Sequence, residues 1–238
     1  GEGEGEGEGE GEGEGEGEGA SGQVRLAHLA VFPGDTGTEV DIYVNGANAL
    51  TFGFKETTAY VPLPAGSYDF DIVPSGGSLS DSVYTVPGFV VGAGEAWSIY
   101  AAGYVAPSGD SNAFTVGALA EDSSTISPGN VRLTVVHAAA LSVFDGVDLW
   151  VVDSDCDPTG LLLSDFRFGD NFLVDLPSTE VNVGLDVGQE GTVDACFKVP
   201  DVGITGEVVT VYAVNSDAGV PSLVVHLPDG SNAEIVAE

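Results

Sequence analysis

From Gln23 onward, apolar and polar residues alternate with period two in short runs. Val24-Arg25-Leu26-Ala27-His28, Val40-Asp41-Ile42-Tyr43-Val44 and Ser67-Tyr68-Asp69-Phe70-Asp71-Ile72-Val73 are the clearest. Successive side chains on a strand point to opposite faces, so Val40, Ile42 and Val44 share one face while Asp41 and Tyr43 share the other. The runs are rich in Val, Ile, Tyr and Phe, which fit a pleated, half-buried surface. Turn residues separate them: Pro33-Gly34-Asp35, Asn45-Gly46, Pro64-Ala65-Gly66 and Ser75-Gly76-Gly77. No segment sustains a 3.6-residue period with helix caps. The pattern predicts an all-β chain.

The pattern also repeats. Val24-Arg25-Leu26 returns as Val131-Arg132-Leu133, and Val40-Asp41-Ile42-Tyr43-Val44 returns as Val147-Asp148-Leu149-Trp150-Val151. Leu63-Pro64 recurs as Leu176-Pro177, and Ile99-Tyr100-Ala101 as Val211-Tyr212-Ala213. The spacing between copies widens along the chain, as loop insertions between matching strands require. Each copy has the size and strand rhythm of an immunoglobulin-like sandwich. The expected organisation is a low-complexity tail over 1–22, a first sandwich over 23–119, a linker over 120–130 and a second sandwich over 131–238. The fold class expected is therefore two tandem immunoglobulin-like antiparallel β-sandwich domains behind an extended N-terminal tail.

That tail changes the picture. Residues 1–19 are a strict Gly-Glu alternation carrying Glu2, Glu4, Glu6, Glu8, Glu10, Glu12, Glu14, Glu16 and Glu18. It has no apolar side chain to bury, so it cannot build a core of its own. As a strand it would place every Glu on one face, about 6.6–6.8 Å apart, inside the ~8 Å screening length at physiological salt. Ordering it calls for compensation from outside: cations, a basic groove, or a neighbouring chain. The whole chain holds 38 acids against 5 bases, a formal charge of −33. Without the nine tail glutamates, −24 remains. Such a surface repels phosphate backbones, so nucleic acid is a poor partner, and divalent cations or basic proteins are better ones. The plainer reading is that the charge only maintains solubility. The chain contains no Met, and the expectation is an exported protein whose signal peptide has been removed, placed outside the cell or on its surface. No run of about twenty apolar residues is present for a spanning helix.

Candidate chemistry is sparse. His28, His137 and His226 lie in distant segments, no metal-type Cys or His spacing occurs, and Gly-x-Ser-x-Gly is absent. Pairs of acids are too numerous to single out a glycosidase pair. A non-catalytic protein without a required cofactor is expected. Cys156 and Cys196 fit one disulfide, the other reading being two buried thiols. Asp153, Asp155 and Asp157 stand at alternate positions, a spacing able to wrap one calcium ion. The EF-hand pattern then fails, because Pro158 takes the place of its Gly and Ser164 that of its final Glu. The other reading is a polar hairpin loop tied down by Cys156. Arg25 and His28 are expected to bridge to Asp41 on a neighbouring strand.

The order Val24-Arg25-Leu26-Ala27-His28, Val40 to Gly46, Tyr60-Val61-Pro62-Leu63-Pro64-Ala65-Gly66-Ser67-Tyr68 and Tyr100-Ala101-Ala102-Gly103 resembles a bacterial and archaeal family, domain of unknown function 4397. The second copy departs from it: His137 stands two residues later relative to its Arg than His28 does, and no Ala-Gly follows Leu176-Pro177. The resemblance implies an exported β-sandwich, often in tandem, and brings no catalytic site with it. Two roles follow as expectations. One is a structural subunit of an extracellular filament or surface assembly, with the tail as an inter-subunit arm laid along a neighbouring copy. The other is a surface-displayed ligand- or adhesion-binding module, with the tail as a solvated spacer.

Overall fold

A computed structural model describes residues 20–32, 39–179, 181–201, 203–215 and 220–238. The expectations for residues 1–19 therefore lie outside the described residues. The first half of the chain forms β1 (Ser21–Val31), β2 (Val40–Val44), β3 (Ala47–Phe52), β4 (Val61–Pro64), β5 (Gly66–Pro74), β6 (Tyr84–Val91), β7 (Ala96–Tyr104) and β8 (Thr115–Ala120). The second half forms β9 (Asn130–His137), β10 (Val147–Val152), β11 (Pro158–Phe166), β12 (Asn171–Pro177), β13 (Val181–Asp186), β14 (Ala195–Val199), β15 (Val208–Val214), β16 (Ser222–His226) and β17 (Asn232–Ile235). Two single-turn 3-10 segments, Leu79–Asp81 and Ser142–Phe144, are the helical elements of the described residues. The chain is all-β.

The strands form four sheets whose orders repeat. In the first half an inner sheet runs β4-β1-β7-β8 and an outer sheet β3-β2-β5-β6. In the second half the inner sheet runs β12-β9-β15-β16-β17 and the outer sheet β11-β10-β13-β14. Position for position these orders match, except that among the described residues β17 has no counterpart beside β8. Most neighbours are antiparallel, as expected. Each inner sheet, however, contains one parallel pair, β1 with β7 and β9 with β15. The intervening chain crosses to the outer sheet and returns, which gives the length that a parallel connection needs.

Alternation along the strands accounts for the layers. On β1, Leu26 and Ala30 enter the first core with Ile42, Phe52, Phe70 and Ile72 of the outer sheet. The other face of β1 carries Ala27 and Leu29, which meet Val136, Tyr212, Val214 and Val224 of the second half. Likewise Val209 and Val211 of β15 face the second core, while Tyr212 and Val214, at the alternate positions, face the first half. The four sheets therefore stack in the order outer, inner, inner, outer. Leu29 and Val136, Tyr100 and Tyr212, and Ala102 and Val214 hold matching positions in the two halves, and all six lie in this central cluster. Each half thus presents the same face to the other, as in an isologous dimer. Tyr100 and Tyr212 meet across it with ring centroids 5.6 Å apart.

Local chemistry fixes the connections. Asn45 and Gly46 both have positive φ, +50° and +80°, the turn that suits the twist of the β2–β3 hairpin. At Gly230 the reason is contact between halves: a Cβ there would lie 2.1 Å from the backbone nitrogen of Ala59. Segment 55–58 pairs with β1 through Lys55 N to His28 O and Thr58 N to Leu26 O, and reaches across to the second half. There Thr57 Oγ1 donates to Gly230 O at 3.0 Å, and Asn232 Nδ2 donates to Lys55 O at 3.0 Å. On the far side, Asn112 N donates to Ala140 O and Ser142 N to Asp110 O.

Candidate functional site

Between the two inner sheets lies a buried polar cluster centred on Arg25, which is fully buried. Its position on β1 turns it towards the second half and away from the outer sheet that carries Asp41. The expected Arg25–Asp41 bridge is therefore not formed. Asp41 instead accepts from Thr51 Oγ1 and, at 3.1 Å, from Gly76 N. Arg25 Nε donates to Ser98 Oγ and to Glu121 Oε1, both at 2.8 Å, and Nη2 donates to Thr210 Oγ1 at 2.9 Å. Its guanidinium also stacks over the Tyr60 ring, 4.9 Å from the centroid. Tyr60 in turn donates its hydroxyl to Glu121. Burial, opposed by the Arg25 charge, holds the Tyr60 phenol well above its usual range.

Arg132 occupies the matching position on β9 and makes a matching grip. It binds Asp175 with two parallel bonds, Nε to Oδ1 at 2.7 Å and Nη2 to Oδ2 at 2.9 Å. This pairing holds the Asp175 carboxyl below the ordinary carboxylate range. Its Nη1 donates to Asp122 O at 3.0 Å and to Ser124 O and Oγ at 3.1 and 2.9 Å. Glu121, Asp122 and Ser124 all belong to the connection between β8 and β9. The repeated Val-Arg-Leu motif therefore supplies two arginines that clamp the segment joining the halves. Its repetition was visible in the sequence; the partners of Arg25, 73, 96 and 185 residues away, were not.

The histidines are likewise taken up in packing. His28 lies in the first core with Phe32, Phe52 and Phe54 around its ring. His137 Nε2 meets Phe144 O at 2.6 Å, and burial lowers its pKa. His226 sits between the halves with Nε2 2.8 Å from Thr58 O. Burial first, and the Arg25 charge second, push its pKa down to about 4.

Cys156 and Cys196 are joined as a disulfide with Cα atoms 6.0 Å apart. It ties the β10–β11 hairpin to β14 across β13. Within that hairpin, Asp153 Oδ1 accepts from the backbone N–H of Asp155 at 2.9 Å and of Asp157 at 3.0 Å. The Asp153 carboxylate thus closes the turn. Among the described residues no three His, Cys, Asp or Glu side chains gather where they could hold a metal ion, and Asp153, Asp155 and Asp157 are not brought together.

Alternation in the sequence does not mark one further feature: an apolar cleft of about 210 Å³ between the sheets of the first half. Phe70 and Ile72 form its floor, with Val86 and Phe89 of β6 on one side and Val116 and Ala118 of β8 on the other. A second apolar cavity, about 90 Å³, lies inside the other half and has His137 in its lining.

Among solved structures, the chain is similar to one described as "Alpha-glucan binding by a streptococcal virulence factor", with 12% identity over 80% of this chain and 91% of that one. The TM-score is 0.24. No curated protein matches it. The sequence model of the family described as "Domain of unknown function (DUF4397)" matches residues 22–144, more than half of the 238, and the chain belongs to that family.

Proposed function

We propose that this protein is a non-catalytic, secreted structural subunit of an extracellular filament or surface assembly, with the Gly-Glu tail as its inter-subunit arm. The observation that carries this reading is where the tail is rooted. It runs directly into β1, the strand that pairs with β4 on one side and with β7 along nine consecutive residues on the other. β1 is also buried on both faces, against the first core and against the second half. Its entry is held by Ala65 N to Ala20 O and Gly94 N to Ser21 O. Load applied to the tail would pass along a strand held on both edges and both faces of a four-layer stack. Arg25 and His226 meanwhile serve the joint between the halves, and His28 and His137 serve the cores.

The chain's own five bases cannot balance its acids, so the arm would be held by backbone contacts with a neighbour, by divalent cations, or by both. Calcium at Asp153, Asp155 and Asp157 is no part of this proposal, since the three carboxylates are not gathered and Asp153 already caps its own turn. No helix of the described residues is long and apolar enough to cross a membrane. A second reading, a surface-displayed binding module with the tail as spacer, is favoured by the open apolar cleft. Deleting residues 1–19 separates the two. An arm predicts polymers that vanish on deletion, and a spacer predicts a monomer whose ligand binding survives it.

A further inference from the structure

The two halves share one strand order but differ at one place, and that difference identifies a site. In the second half β17 pairs antiparallel with β16, Leu223 opposite Ile235 and Val225 opposite Ala233. Ile235 and Ala237 pack onto the second core, and Glu238 N donates to Cys196 O on β14. The C-terminal strand thereby closes the gap between the inner and outer sheets. In the first half the equivalents of β16 and β14 are β8 and β6. Through the β7 and β15 registers, Val116 matches Leu223 and Ala118 matches Val225. Yet no strand pairs with the outer edge of β8 among the described residues, and the apolar cleft lies at that edge.

We propose that this cleft takes up an extended segment of another polypeptide, which pairs with β8 as β17 pairs with β16. The occupant is a strand with Ile-, Val- or Ala-sized side chains at alternate positions, entering between Val86, Phe89, Val116 and Ala118. The two edges facing the cleft are unequal. β6 carries Pro87, which has no N–H to offer, followed by Gly88 at φ +65° and a break in register against β5. β8 reads Thr-Val-Gly-Ala-Leu-Ala, with neither proline nor charge. Pairing is therefore directed to β8. The strongly acidic surface makes neutral or basic residues the better outward-facing choice. The Gly-Glu tail has no apolar side chain to place there and is not the occupant. This site is independent of the role proposed for the tail.

The test uses a dye-labelled peptide spanning Ser231–Glu238 with Glu234→Lys and Glu238→Lys, added to the full-length protein. Fluorescence anisotropy is expected to saturate below about 1 mM peptide. Changing Ile235→Asp in the peptide is expected to weaken binding about tenfold or more. With a photoreactive leucine analogue in place of Ile235, cross-links should map to Val86, Phe89, Val116 or Ala118. Ala118→Phe in the protein, which fills the cleft, should abolish uptake. Failure to saturate, indifference to Ile235→Asp, or cross-links at Val199 and Leu223 from exchange with the chain's own β17 would each overturn the proposal. Cross-links are mapped on the unaltered protein, so that result does not depend on how the Ala118→Phe variant folds.

Discussion

A fully buried arginine gains its stability from its partners, and here the partners are concentrated on one residue. Glu121 receives Arg25, Ser98 and Tyr60 while its own side chain is 6% exposed. Removing one member of such a pair leaves the other charge buried without compensation, which costs about 3–5 kcal/mol, whereas removing both is far milder. Arg25→Met is accordingly expected to lower the unfolding free energy in a urea titration by that amount, and Arg25→Met with Glu121→Gln to recover much of it. If the double variant were no more stable than the single one, the clamp would not be an ion-pair device. His226 gives a second residue-scale prediction. Its folded pKa, about 4, lies below the unfolded value of about 6.5, so the unfolded state binds the extra proton. Stability is thus complete above pH 6.5 and is lost as the pH falls towards 4, by ~3 kcal/mol from this group. The carbonyl of Thr58 requires a donor, and His226→Gln keeps one. That variant should flatten the stability profile between pH 6.5 and 4 while changing it little at pH 8. An unchanged slope would place the acid sensitivity elsewhere.

Among the elements, the β10–β11 hairpin depends most on a single bond. The disulfide closes a 40-residue separation, and on the loop-entropy model this restricts the unfolded chain by about 4 kcal/mol. Cys156→Ser with Cys196→Ser should lower unfolding stability by roughly that much, measured by denaturant titration without reductant. A loss below ~1 kcal/mol would mean that the hairpin is held by its ladder alone. These same elements show what sequence can disclose. Period-two alternation located β1, β2 and β5, because one face of each meets a core and the pattern is local. The Asn45-Gly46 turn was legible for the same reason. β16 was not: all five residues, Ser222 to His226, are buried, since one face lines the second core and the other meets the first half. Alternation vanishes where both covered faces are apolar, as at Leu223-Val224-Val225. β1, also covered on both faces, kept it because Arg25 enters the polar joint between the halves. The sequence points Arg25 at Asp41 because a strand pattern shows which residues share a face, and not which sheet that face meets. The cleft beside β8 was hidden for a related reason. Among the described residues one copy has no counterpart of a strand that the other has, and only the paired topologies reveal the gap.

At the scale of the whole molecule, two sandwiches are joined face to face, with their connecting segment gripped by Arg25 and Arg132 and their flanks closed by backbone bonds. Such a body suits transmission of force or display of a fixed surface, and its strong negative charge keeps like copies apart unless a specific contact brings them together. The contact proposed is the glutamate-rich arm rooted in β1. The decisive measurement is sedimentation velocity, with negative-stain microscopy, of the intact chain and of a chain lacking residues 1–19, across a range of protein and calcium concentrations. An inter-subunit arm predicts concentration-dependent polymers from the intact chain and monomers from the truncated one, with the same thermal unfolding midpoint in both. Monomers from both chains under all conditions, or polymers that survive the truncation, would contradict it.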